Sequence, residues 1–203
     1  MLNLSTLAFI LIVVSAMIIL IFRDWRINAV SLAVQYLAVF VLVTLSWPIG
    51  LSIVKLIVGW MATAALALTC IRQLDAENTP SEPTASLVFR GLAGLFIIMV
   101  VFVLAPTLQE SMFPRVDLII IQSGVMLLGM ALMQLGTSAD PYLNIISLLS
   151  LLAGFELIHA ALELSTLLTG LLVIVNLGLA LVGVYFITKT NDKERQPGEG
   201  ETQ

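Results

Sequence analysis

Residues 142–162 read YLNIISLLSLLAGFELIHAAL, a run of 21 positions with no charge until Glu156. At about 1.5 Å of rise per residue the run is roughly 31 Å long as a helix, close to the hydrocarbon thickness of a bilayer. Its apolar residues are continuous rather than alternating, which favours a helix over a barrel strand. A helix also satisfies every backbone hydrogen bond within itself, as a lipid-facing segment must.

The rest of the chain repeats this pattern. Of its 203 residues, 60% are hydrophobic and 11% charged, against about a quarter charged in an average soluble domain. Mean hydropathy is +1.08. A soluble core so apolar would leave no polar surface for water. Seven segments are long enough to cross, at residues 4–22, 28–46, 50–70, 91–108, 117–135, 142–162 and 166–187. The expected fold class is therefore all-α, a polytopic transmembrane helical bundle of seven helices. The first segment lacks a basic region ahead of its apolar run and a small-residue cleavage site before Arg23, so it reads as a retained span.

Punctuation separates the spans. Arg23-Asp24-Trp25-Arg26 divides the first two, and Trp47-Pro48-Ile49-Gly50 makes a turn between the second and third. Gln73 to Ser86, with three acidic residues and two prolines, reads as a solvated loop. Pro106 reads as a kink or helix end, and Pro114 and Asp140-Pro141 as turns. This divides the chain into a three-helix unit at 1–72, a loop and connecting helix at 73–116, a second three-helix unit at 117–187, and a polar tail at 188–203 expected to be disordered. Asn28-x-x-Ser31-Leu32 and Asn144-x-x-Ser147-Leu148 open the second and sixth spans, a short match that suggests a parallel three-helix duplication.

Basic residues set an orientation. With the N-terminus outside and the C-terminus inside, the inner segments hold Arg23, Arg26, Arg72, Arg90, Lys189, Lys193 and Arg195, and the outer ones only Arg115. That asymmetry is the positive-inside pattern. No basic patch suits nucleic acid. Cys70 stands alone, excluding an internal disulfide and any cysteine-cluster metal site.

Four ionisable residues lie within the apolar spans: Lys55, Glu156, His159 and Glu163. A charge at bilayer depth costs about 2.5–3.5 kcal/mol on insertion scales. Glu156, His159 and Glu163 fall at i, i+3 and i+7, within an arc of about 60° on one helix face. A ladder of groups that titrate near neutrality suits a proton path, with His159 in reach of either carboxylate. In the assigned topology Glu156 lies about 9 Å, and Lys55 about 7–8 Å, below the outer end of its helix, so the two can meet.

Three of the four have a plainer alternative. Glu163 is near enough to the boundary to be a solvated helix end, Lys55 can snorkel, and His159 can be a packing histidine. Glu156 lies two turns inside without a lysine's reach. Gly124, Gly129, Gly170, Gly178 and Gly183 suggest close helix packing, and Gln35 and Asn176 suggest polar bridges between helices. The chain shows no phosphate loop, no metal-ligand spacing and no nucleophile beside a base.

The segment Gly154-Phe155-Glu156-Leu157-Ile158-His159-Ala160-Ala161-Leu162 resembles subunit K (4L-type) of bacterial NADH-quinone oxidoreductase, whose second of three helices carries a Gly-x-Glu-hydrophobic signature. The resemblance covers about 117–187, including Leu177-Gly178-Leu179-Ala180-Leu181. That family's third helix usually bears another buried glutamate, whereas Val173 to Asn176 here has none. In length and layout the chain is similar to the seven-helix E-type membrane subunit of formate-hydrogenlyase-type hydrogenases, with the K-like subunit of Mrp antiporters a related option. The resemblance implies a non-catalytic subunit of a prokaryotic cell membrane, packed among larger antiporter-like subunits and assisting proton movement. It implies no cofactor in this chain, redox groups belonging to its partners. A stand-alone carrier built from two three-helix repeats is the competing expectation.

Overall fold

A computed structural model describes residues 3–73, 84–163 and 166–195. Seven helices follow one another: α1 (Leu4–Ile21), α2 (Trp25–Val43), α3 (Ile49–Gln73), α4 (Thr84–Met112), α5 (Leu118–Thr137), α6 (Pro141–Leu162) and α7 (Thr166–Arg195). All seven are long and apolar enough to span a membrane. The sequence expectation for the fold class holds.

Local chemistry sets the helix starts. Asp24 caps α2, its carboxylate accepting from the Arg26 amide at 2.9 Å. Asp140 caps α6 in the same way from the Tyr142 amide, also at 2.9 Å, with Pro141 in the first turn. Each cap satisfies one of the amides that a helix start leaves without an intrahelical acceptor. Pro141 suits the first turn because it lacks the amide that would otherwise be orphaned.

Helix packing forms two rows. In one, α2 lies between α1 and α3; in the other, α6 lies between α5 and α7. The rows face each other, α1 on α5, α2 on α6 and α3 on α7, while α4 closes the side against α1 and α5. Tyr142 pins the rows together at one end, its hydroxyl donating to the Trp25 carbonyl at 2.8 Å. That end also carries Arg23, Arg26, Arg90 and Lys189, and is called the basic end below.

The α5–α6 contact is the closest. A Cβ placed on Gly154 would lie 2.8 Å from the Leu127 Cβ and 2.9 Å from the Gly124 carbonyl oxygen. Backbone cannot yield as a flexible side chain can, so only glycine fits. By contrast a Cβ at Gly170 or Gly178 meets nothing within 4 Å, so these two do not mark close packing as the sequence suggested. The outward face of α4 is strongly apolar, with Phe96, Met99 and Val103 all well exposed.

Two helices outrun their expected ends. α4 begins at Thr84 and passes through Pro106 to Met112, so Pro106 is not a helix end. α7 continues to Arg195, past residue 188 where the sequence reading begins its polar tail. Lys193, Glu194 and Arg195 favour helix, and the first strong stop is Pro197, which disfavours helix at the residue before it. The remaining tail, residues 196–203, and most of the expected loop, residues 74–83, lie outside the described residues.

Gly154→Ala should destabilise the bundle by about 1–3 kcal/mol through overpacking. Gly178→Ala should be neutral or stabilising by up to about 1 kcal/mol, since alanine is the better helix former. Unfolding of the two variants in mixed micelles checks this, and equal destabilisation would contradict the packing described.

Candidate functional site

α3 and α6 each contribute one charged side chain to the interior. Lys55 follows the start of α3 by under two turns, and Glu156 precedes the end of α6 by under two turns. Because α3 and α6 enter from opposite ends of the bundle, these positions lie at similar depth. The Lys55 Nζ stands 3.4 Å from Glu156 Oε2, and both side chains are only 6% exposed. Lys55 therefore turns inward and does not snorkel. The separation is that of an ion pair, without the alignment of a hydrogen bond.

Trp47 completes the cationic side. It sits in the turn between α2 and α3, 4% exposed, with Lys55 Nζ 4.8 Å from its ring centroid. An ammonium at that distance from an indole face is attracted by the ring quadrupole. Trp47 thus covers the pair on the side away from the basic end.

A second polar layer lies one helical turn closer to the basic end. Gly59 follows Lys55 by four residues on α3, about 6 Å along the axis. Its bare backbone passes against the ring of Tyr36, leaving no room for a Cβ. The Tyr36 hydroxyl donates to Asn176 Oδ1 at 3.3 Å, joining α2 to α7. Asn176 is therefore a bridge, as expected. Gln35 is not: its side chain is 1% exposed, yet neither amide atom has a hydrogen-bond partner among the described residues.

The other two sequence candidates sit apart from the pair. His159 is partly buried with its ring 6.1 Å from that of Phe155, and its Nδ1 has no hydrogen-bond partner among the described residues. No hydrogen bond links it to either carboxylate there. Glu163 is exposed and forms the C-cap of α6, its amide donating to the His159 carbonyl at 3.1 Å.

Several buried polar residues went unnoticed in the sequence. Tyr36 and Trp47 resemble ordinary aromatic core residues there, and no spacing marks them as neighbours of a charge. Arg90 was assigned to a loop by its position, but it is 7% exposed in α4. It lines a small cleft at the basic end with Phe22, Arg23, Gln134, Thr137 and Ser138. Among the described residues no cluster of three or more His, Cys, Asp and Glu is placed to hold a metal ion.

The energetics bear on why the pair exists. At 3.4 Å and an effective dielectric constant of about 20, the gross attraction is about 5 kcal/mol. Desolvating both ions costs several kcal/mol each, so such a pair is rarely more stable than well-packed apolar residues of the same volume. Losing one partner is worse, because it strands the other in a dry interior. The pair is a charged contact between α3 and α6 in the bundle interior.

These helices and this interior define the class: the chain is an integral, multi-pass helical membrane protein. Comparison with known proteins narrows it no further, since no family model, curated protein or solved structure matches it.

Lys55→Met and Glu156→Leu should each destabilise by about 3 kcal/mol or more, and the double variant should regain most of the loss. Denaturant unfolding of all four proteins closes the cycle. Strictly additive losses would show that the two groups do not interact.

Proposed function

We propose that the chain is a non-catalytic membrane subunit of a proton- or cation-translocating complex, with Glu156 as the group that takes up and releases the proton. The observation that carries this reading is the buried Lys55–Glu156 pair, 3.4 Å apart. Intramembrane ionisable groups are expensive and mark ion and proton pathways by default. Lys55 lies on α3 and Glu156 on α6, so a small change in the distance between these helices alters the contact that the carboxyl group makes. That is how a subunit without redox chemistry couples to movement elsewhere in a complex.

The resemblance of residues 154–162 to subunit K points to NADH-quinone oxidoreductase-like, hydrogenase-like or Mrp-like assemblies, and the exposed apolar face of α4 offers room for a larger membrane partner. Within the site, Lys55 tunes Glu156. His159 and Glu163 lie farther along α6, towards the surface opposite the basic end, and would serve as the exit of the path.

A second reading is favoured by a separate observation. The caps Asp24 and Asp140, and the chain reversals at Phe22 and Ser138, recur at a constant spacing of 116 residues, and the two rows of helices stack in the same order. This supports a carrier built from two parallel three-helix repeats. The size of the assembly in mild detergent distinguishes the two: a large co-purifying complex supports the subunit, and a monodisperse monomer or homodimer supports the carrier.

Glu156→Gln should retain assembly, because the amide keeps the carboxylate's volume and a polar oxygen facing Lys55, and should lose proton translocation in reconstituted vesicles. Glu163→Gln should change little. Wild-type translocation by Glu156→Gln would remove the basis for this function.

A further inference from the structure

The ion pair poses a question of access, since both its side chains are almost wholly buried and Trp47 covers the side away from the basic end. Unpaired polar atoms point to a route from the other side. On α2, Asn28, Ser31 and Gln35 are 0%, 6% and 1% exposed. They recur at i, i+3 and i+7 and so form one stripe. Gln35 is turned about 100° from Tyr36. Tyr36 faces α3 and α7, so the stripe faces the remaining neighbours of α2, namely α1 and α6.

Three members of this region carry buried polar atoms that no described residue satisfies. Asn28 donates to the Phe22 carbonyl at 3.0 Å, but its Oδ1 has no partner. Both amide atoms of Gln35 are unpartnered, as is Ser150 Oγ on α6, where the residue is 5% exposed. The Tyr142–Trp25 hydrogen bond sets α2 and α6 in register, so heights can be compared. Asn28 lies about 4.5 Å above that level, Ser150 and Gln35 about 12–15 Å above it, and Glu156 about 21 Å above it. An amide or hydroxyl left buried without a partner loses the hydrogen bonds it made with water and gains none in return. Native proteins normally meet such a deficit with bound water.

We propose that water reaches the Lys55–Glu156 pair from the basic end, along a column lined by Asn28, Gln35 and Ser150, with Gln35 as its central positioning residue. Gln35 suits that place because its amide both donates and accepts, orienting water on either side. Trp47 covers the opposite side of the pair, and the column joins the carboxyl group to the aqueous phase at the basic end. The column deepens the function proposed above and rests on it for its purpose, but hydration of the column is measurable without any proton flux.

Water-edited solid-state NMR of the full chain in lipid bilayers tests it, because magnetisation passes from mobile water to the protein groups beside it. Gln35 is 1% exposed, so its side-chain amide meets water only where water lies inside the bundle. The column predicts rapid transfer from water to the Gln35 Nε2 protons, identified by loss of that signal in Gln35→Leu, and transfer several-fold slower in Ser150→Ala. No transfer in the wild-type chain, or transfer indifferent to a folded Ser150→Ala, overturns the column. Loss of proton flux in Glu156→Gln together with a dry Gln35 would sink the column and leave the proposed function standing. Retained flux with a hydrated Gln35 would do the reverse.

Discussion

A membrane interior makes every unpaired charge expensive, and the meeting of Lys55 with Glu156 across α3 and α6 is this bundle's response. The bundle is arranged around the contact. Trp47 covers it from the turn between α2 and α3, Gly59 lets Tyr36 into the layer below, and Asn176 ties that layer to α7. Gly154 and Gly124 bring α5 hard against α6, so the helix carrying Glu156 is braced on its other face. Apolar residues of similar volume would hold α3 and α6 together at least as well. Stability alone therefore does not account for the pair.

Much of this was legible in the sequence, and the physical reason is uniform. Lipid forces helices, helices have a fixed rise, and a fixed rise converts residue numbers into depth. Lys55 and Glu156 could be placed at one level because each lies a short, countable distance from the same end of the bundle. Rotational detail was less accessible. Glu156 and His159 share a face by periodicity, yet the offset between them directs His159 towards Phe155 and away from the pair. Gln35 and Asn176 looked alike as polar residues in apolar spans, but only Asn176 found a partner, because Tyr36 happens to reach it across the row. The lengths of α4 and α7 were underestimated for another reason: hydropathy marks where lipid ends, while helix propensity and proline decide where the helix ends.

The two-row packing gives the faint sequence repeat a structural counterpart. Asp24 and Asp140 each cap a helix through the amide two residues on, and each follows a chain reversal at the basic end. Three helices in each row stack in the same order. The charged pair breaks the likeness, since Phe40 and Leu171 occupy the positions 116 residues from Glu156 and Lys55. Whatever the rows share in construction, the acidic group belongs to one of them and the basic group to the other.

The most direct measurement of the central claim is the distance between the Lys55 side-chain nitrogen and the Glu156 carboxyl carbon in lipid bilayers. Dipolar-recoupling solid-state NMR on protein with 15N-labelled lysine and 13C-labelled glutamate provides it, with Lys55→Met identifying the signal. The structure predicts strong dephasing, set by the 3.4 Å contact between Nζ and Oε2. Its absence in the wild-type protein would mean that the charges are held apart, and a coupled proton acceptor at Glu156 would no longer describe this chain.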